Sequence, residues 1–182
     1  MRIHVADLPA EGVLIEERLD PLHLKDLAAL QENQACTFRG PLAARLRVAP
    51  GIDMVHVEGR IEGNARMACS RCLAPAEVPL DISFKLTFAR SAPGGAEDSD
   101  PEGKELQTED LGLVPFEGET IDFRDAVQEQ VILAIPMQVR CREDCRGLCA
   151  GCGVNLNTET CRCARDEVDP RLAILKKLKL KP

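Results

Sequence analysis

Cysteine is the residue type that recurs at chemically meaningful spacing in this chain. Cys69-Ser70-Arg71-Cys72 is one Cys-x2-Cys pair, and a denser run follows with Cys141, Cys145, Cys149, Cys152, Cys161 and Cys163. Within that run Cys149-Ala150-Gly151-Cys152-Gly153 is a second pair with glycine beside it. A turn of this kind offers two thiolates to one ion while its backbone N–H groups face the sulfurs, and four such sulfurs in a tetrahedron are the donor set of structural zinc. Cys149 and Cys152 close naturally on Cys161 and Cys163 within one short segment. Cys69 and Cys72 then take Cys141 and Cys145, so two Zn2+ ions are expected and Cys36 is left over. A second partition stays open, in which Cys69 and Cys72 join Cys149 and Cys152 as a zinc ribbon. Four thiolates also suit an iron–sulfur cluster, although the spacing matches neither ferredoxin pattern.

Disulfides account for the pattern less well. The count of nine is odd, and Met1-Arg2-Ile3-His4-Val5 does not begin a basic and then apolar leader. No apolar run approaches the roughly 20 residues that span a bilayer. A cytoplasmic protein with reduced thiols and no membrane partner is therefore expected. Catalytic signatures are missing too: the chain has no phosphate-binding Gly-x4-Gly-Lys loop, no Gly-x-Ser-x-Gly elbow and no His-Glu-x2-His. A catalytic zinc usually enlists histidine and keeps an open position, yet His4, His23 and His56 are scattered. Neither an enzyme nor a small-molecule substrate is expected. A thiol redox enzyme would place its Cys-x2-Cys before a helix, whereas the first pair here lies between strands.

The elements that must hold these thiols read as α+β. Val55, Val57, Ile61, Ala65, Met67 and Cys69 alternate with His56, Glu58, Arg60, Glu62, Asn64 and Arg66, the period of a half-buried strand. Val78, Leu80, Ile82, Phe84, Leu86 and Phe88 alternate in the same way, making a long hairpin with the first cysteine pair at its tip. Shorter strands are expected at 13–15 and 42–48. A helix is predicted from Asp20-Pro21 to about Gln34, and a second, capped by Asp122, carries Phe123, Ala126, Val127, Val131 and Ala134 and stops before Pro136. Residues 91–117 are rich in Gly, Pro, Ser and acid, and read as a mobile acidic loop. A last amphipathic helix begins near Asp169-Pro170, with Leu172, Leu175 and Leu178 on one face. The expected organisation is an α+β main domain at 1–139, an antiparallel sheet with flanking helices, followed by a zinc-binding, basic module at 140–182.

Charge divides along the same line. The net charge is −7, but residues 1–139 carry 13 basic and 24 acidic side chains against 10 and 6 in residues 140–182. The chain has no Trp, no Tyr and five Phe, too few for the stacking platforms that single-strand RNA readers use. Any RNA contact would run to phosphate and shape, with Arg171, Lys176, Lys177, Lys179 and Lys181 as the candidate residues. A solvated helix face is the ordinary fate of such a lysine run.

Several stretches together resemble the YceD family of bacterial large ribosomal RNA subunit accumulation proteins. They are Cys69-Ser70-Arg71-Cys72-Leu73, Ile121-Asp122-Phe123, Leu133-Ala134-Ile135-Pro136, the run from Gly147-Leu148-Cys149 through Val154-Asn155-Leu156-Asn157 to Cys161-Arg162-Cys163, and Asp169-Pro170-Arg171-Leu172. The resemblance implies a role in 23S ribosomal RNA accumulation and large-subunit biogenesis, with ribosomal RNA or a large-subunit precursor as partner. It also implies that the 149–163 thiols are an optional module, since some members lack them. An adaptor that docks a ribosomal protein or assembly factor, without touching RNA, is the alternative reading.

Overall fold

A computed structural model of the chain describes residues 1–90 and 113–163. The strands are β1 (Arg2–His4), β2 (Val13–Leu19), β3 (Thr37–Phe38), β4 (Leu42–Pro50), β5 (Met54–Ala68), β6 (Pro75–Arg90), β7 (Leu113–Phe116) and β8 (Thr120–Asp122), and the helices are α1 (Lys25–Glu32) and α2 (Arg124–Ala134). The architecture is α+β. The main sheet runs β2-β4-β5-β6-β7 with β3 added to β5, and β1 pairs with β8 in a separate two-stranded ribbon.

The alternation in β5 and β6 builds the hairpin at the centre of this sheet. Its antiparallel register sets Val57 opposite Leu86, Ile61 opposite Ile82 and Ala65 opposite Val78, closing at Ala68 and Pro75. One face thereby gathers Val55, Val57, Ile61, Val78, Leu80, Ile82 and Phe88 with Leu42, Leu46 and Val48 of β4, all buried. Leu27 of α1 joins that core, as do Phe123, Val127 and Val131 at and along α2. Phe88 and Phe123 meet edge to face with ring centroids 5.4 Å apart. The helices are linked by the buried Gln128, whose side-chain oxygen accepts from the Asp26 N–H at 3.2 Å. The opposite face is charged, with cross-strand pairs Arg60–Asp81, Arg66–Glu77, Lys85–Glu58 and Arg45–Glu16. Exposed pairs of this kind add little stability individually.

Gly59 is a packing requirement. A Cβ there would fall 2.1 Å from the Phe84 ring, which lies across the gap on the neighbouring strand. Gly59→Val should therefore overpack the hairpin and lower unfolding free energy by about 1–3 kcal/mol, measured as a fall in denaturant midpoint at unchanged slope.

Two expectations need correction. The helix predicted from Asp20 is two pieces: Asp20 caps a 3-10 turn at Pro21–His23 by accepting from the Leu22 N–H, and α1 starts only after Leu24, which is extended. Pro21 and Leu24 are both buried, and spacing by three at 3-10 pitch puts them on one side. The acidic loop does not extend to 117, because 113–116 form β7 parallel to β6. Val114 and Phe116 pack on the core, and Pro115 is tolerated because β7 is an edge strand; the remainder, 91–112, lies outside the described residues. The amino terminus also forms β1. Asp122 holds that ribbon together by pairing with Arg124 and Arg2. Those guanidiniums, Arg124 foremost, keep its carboxyl well below the usual carboxylate range, so the contribution is present at neutral pH and lost in acid. The expected carboxy-terminal helix lies outside the described residues.

Candidate metal centres

At the hairpin tip the chain turns tightly: Leu73 N–H donates to the Cys69 carbonyl at 2.9 Å and Cys69 N–H to the Ala74 carbonyl at 2.8 Å. This turn points Cys69 and Cys72 to the same side. After α2 stops at Ile135-Pro136, an irregular passage to Val139 brings the chain back to the tip, where the Val139 carbonyl accepts from both the N–H and the hydroxyl of Ser70. Cys141 and Cys145 are thereby set against the first pair. Sulfur separations are 3.8 Å for Cys69 and Cys145 and 3.6 Å for Cys72 and Cys141.

The second cluster is built more locally. Leu148 and Asn155 form a one-residue bridge, with Cys149 N–H to the Val154 carbonyl at 2.8 Å and Leu156 N–H to the Gly147 carbonyl at 2.9 Å. Cys149 and Cys152 occupy the end of this short ribbon, and both meet Cys161, at 3.2 and 3.6 Å between sulfurs. Cys163 completes the set. Gly147, at φ +77°, is required where the ribbon passes the hairpin tip, since a Cβ would come within 3.1 Å of the Arg71 carbonyl.

The eight thiols thus stand in two quartets, Cys69, Cys72, Cys141, Cys145 and Cys149, Cys152, Cys161, Cys163, with all sulfurs of a quartet within 4.8 Å of one another. The ribbon pairing of Cys69 and Cys72 with Cys149 and Cys152 is not the arrangement adopted. Four sulfurs about 2.3 Å from a central zinc would be roughly 3.8 Å apart, so the donors fit such an ion in number, chemistry and spacing. The inner quartet is buried apart from Cys141, whereas Cys152 and Cys163 of the outer one are exposed. Cys36 lies in the apolar core, where burial pushes its thiol pKa up, and takes part in neither quartet.

Electrostatics points the same way. The Arg71 N–H, with those of Cys141 and Cys72, draws Cys69 down to about 6, while its thiol neighbours, Cys72 first, push Cys141 up to about 12. In the outer quartet the Cys152 N–H and the Cys161 thiol draw Cys149 down to about 6, and Cys152 and Cys161 push Cys163 up to about 12. Sulfurs this close cannot all ionise unless a cation neutralises them. A divalent ion held by four thiolates would supply that charge and would have no open position for a substrate.

Two residues of these centres escape a reading of the cysteines alone. The Arg71 guanidinium donates to the Cys145 carbonyl at 2.9 Å, clamping the inner site from within the first turn. The Asn157 amide donates to the Cys145 sulfur at 3.4 Å. The Asn155-Leu156-Asn157 pattern announces a side-chain-capped turn, but nothing in it says which sulfur the second asparagine reaches. Arg171, Lys176, Lys177, Lys179 and Lys181 lie outside the described residues. No helix among the described residues is long and apolar enough to cross a membrane.

An α+β scaffold carrying two all-thiol quartets defines a protein built round candidate structural metal sites. Comparison of the sequence with known families is specific: the profile described as "Large ribosomal RNA subunit accumulation protein YceD" matches residues 57–179, and the chain belongs to that family. An uncharacterised protein of Mycobacterium tuberculosis is 34% identical over 130 residues, 71% of this chain and 58% of its own length. The Bacillus subtilis protein YlbN, also uncharacterised, is 33% identical over 119 residues, 65% of this chain and 62% of the relative. A chloroplastic YCED homolog 1 of Arabidopsis thaliana, named for large ribosomal RNA subunit accumulation, is 32% identical over 95 residues, 52% of this chain and 30% of the relative. The chain thus matches less than two thirds of the length of these relatives. No solved structure matches.

Proposed function

We propose that this chain is a non-catalytic cytoplasmic factor that supports accumulation of 23S ribosomal RNA during large-subunit biogenesis, held together by two structural zinc ions. The observation that carries the reading is the family match, which spans both thiol quartets and the basic carboxy-terminal segment. The inner ion would be bound by Cys69, Cys72, Cys141 and Cys145 and the outer by Cys149, Cys152, Cys161 and Cys163. Closed thiolate sites supply folding energy, which suits a factor whose work is binding. Ribosomal RNA or a large-subunit precursor would be met by Arg171, Lys176, Lys177, Lys179 and Lys181, in the part of the chain with excess positive charge.

Replacing the four lysines with neutral polar residues tests the contact. Zinc content should stay near two per chain, 23S abundance in cells should fall, and the slope of log affinity against log salt for precursor RNA should shrink by about 3 if all four meet phosphate. Normal 23S levels and an unchanged slope would favour the adaptor reading. That alternative has its own support: Leu73 at the hairpin tip and Leu133 and Met137 at the end of α2 are 66%, 73% and 100% exposed, apolar side chains suited to a protein partner. Such an interface would be insensitive to salt.

A further inference from the structure

We infer that Asn157 is a positioning residue that makes the two thiol quartets interdependent, because its amide reaches the Cys145 sulfur of the inner site from the segment folded round the outer one. The inference rests on the reading of both quartets as metal sites.

The orientation of the Asn157 side chain is set by its partners. Its oxygen accepts from the Arg146 N–H at 2.8 Å and from the Arg142 guanidinium at 2.9 Å. The NH2 end is therefore left for the Asn155 side-chain oxygen, at 2.8 Å, and for the Cys145 sulfur, at 3.4 Å. Asn155 also accepts the Asn157 backbone N–H at 3.0 Å, fixing where the side chain starts. Other N–H groups that face the thiols among the described residues belong to the backbone, as with Arg71 on Cys69, Gly151 on Cys149, Cys163 on Cys161 and Gly147 on Cys145. Asn157 alone among them is a side chain, and it crosses from one quartet's segment to the other's.

Cys145 is 1% exposed, so its sulfur has little access to water and depends on such donors when it carries charge. Residues of this kind commonly change metal affinity 10- to 100-fold. The segment that presents Asn157 is held by the Leu148–Asn155 bridge and by closure of the outer quartet. Emptying the outer site frees Asn157 and weakens the inner site. By linkage, filling the inner site tightens the outer by the same factor.

The test uses the full chain, zinc and a chromogenic zinc chelator. Metal analysis of the native protein comes first, and a chain that cannot be loaded with metal would end the metal reading and this inference with it. Inner-site affinity is then compared in the native chain, Asn157→Ala, Asn157→Asp, a Cys152→Ser and Cys163→Ser double variant that disables the outer site, and that variant combined with Asn157→Ala. Asn157→Ala and the outer-site variant should each weaken the inner site about 10- to 100-fold, and the combination should be no weaker than the outer-site variant alone. Asn157→Asp keeps both acceptor contacts but has no N–H to give the sulfur. It should shift the sulfur-to-cobalt charge-transfer band of the cobalt-loaded inner site, as Asn157→Ala does, whereas a residue that only braced the loop would leave that band in place. Losses that multiply in the combination, or an Asn157→Asp protein with native affinity and band, would overturn the coupling while leaving a two-metal protein intact.

Discussion

Cys72→Ser is expected to unfold the junction between the sheet and everything after α2, with the thermal midpoint falling by about 10 °C or more. Binding of zinc to four-thiolate peptides supplies about 10–16 kcal/mol of folding energy, and in a chain of this size each kcal/mol lost moves the midpoint by about 2–4 °C. Losing a third of the ion's contribution is therefore enough. Cys72 is almost wholly buried, with Cys69 and Cys145, in a small cluster of its own against which Ala74 packs, so the apolar reserve round the site is small. The inner quartet also ties together thiols as far apart in sequence as Cys69 and Cys145, a separation of 76 residues, against 12 between Cys149 and Cys161. Closing the longer loop costs roughly 1.5 kcal/mol more chain entropy, which the ion must offset and which returns as disorder when it leaves. Hydrogen exchange should show protection lost at 69–74 and 139–146 together. A Cys72→Ser protein with native midpoint and one zinc per chain would mean that the inner thiols are ordinary packed cysteines.

The hairpin and the quartets were legible for different physical reasons. In β5 and β6 the strict alternation of Val57, Ile61, Val78 and Ile82 with charged residues is forced by a sheet with one wet face, so pattern and register agree. The thiols grouped as their spacing suggested because a short segment such as 149–163 has few ways to bring four sulfurs together. What escaped notice depends on distant partners. β1 is three residues long and exists because Ile3 lies opposite Ile121, a residue far along the chain. β7 is four residues with a proline, which reads as loop until Phe88 and Val114 are seen in register. Leu24 interrupts the first helix to bury Pro21 beside it, a choice made by the core rather than by local propensity. Asn157 is the same lesson at the site. Its identity promises a turn, while its role comes from Cys145, which is presented by a different stretch of chain.

Cys149→Ser should do damage of a different shape. Its quartet is local and partly exposed, and it is fastened to the hairpin tip by a few contacts: Leu148 N–H on the Arg71 carbonyl at 3.0 Å, Gly147 against Arg71, and Asn157 on Cys145. None of these holds the sheet, whose core of Leu46, Val57, Ile61, Phe123 and Val127 lies elsewhere. Losing the outer ion should therefore release residues 147–163 to rapid hydrogen exchange while β4, β5, β6 and α2 keep native protection. Bound zinc should fall from two to one per chain, and the midpoint of the sheet should move by no more than about 4 °C, equivalent to 1–2 kcal/mol. The retained inner ion should also be easier to extract, because Asn157 no longer stands over Cys145. Comparing Cys149→Ser with Cys72→Ser in one exchange experiment makes the contrast decisive. If both variants lose protection across the whole sheet, the outer quartet is part of the core's cooperative unit. If protection at 147–163 survives Cys149→Ser with zinc still at two per chain, Cys149 is not a ligand.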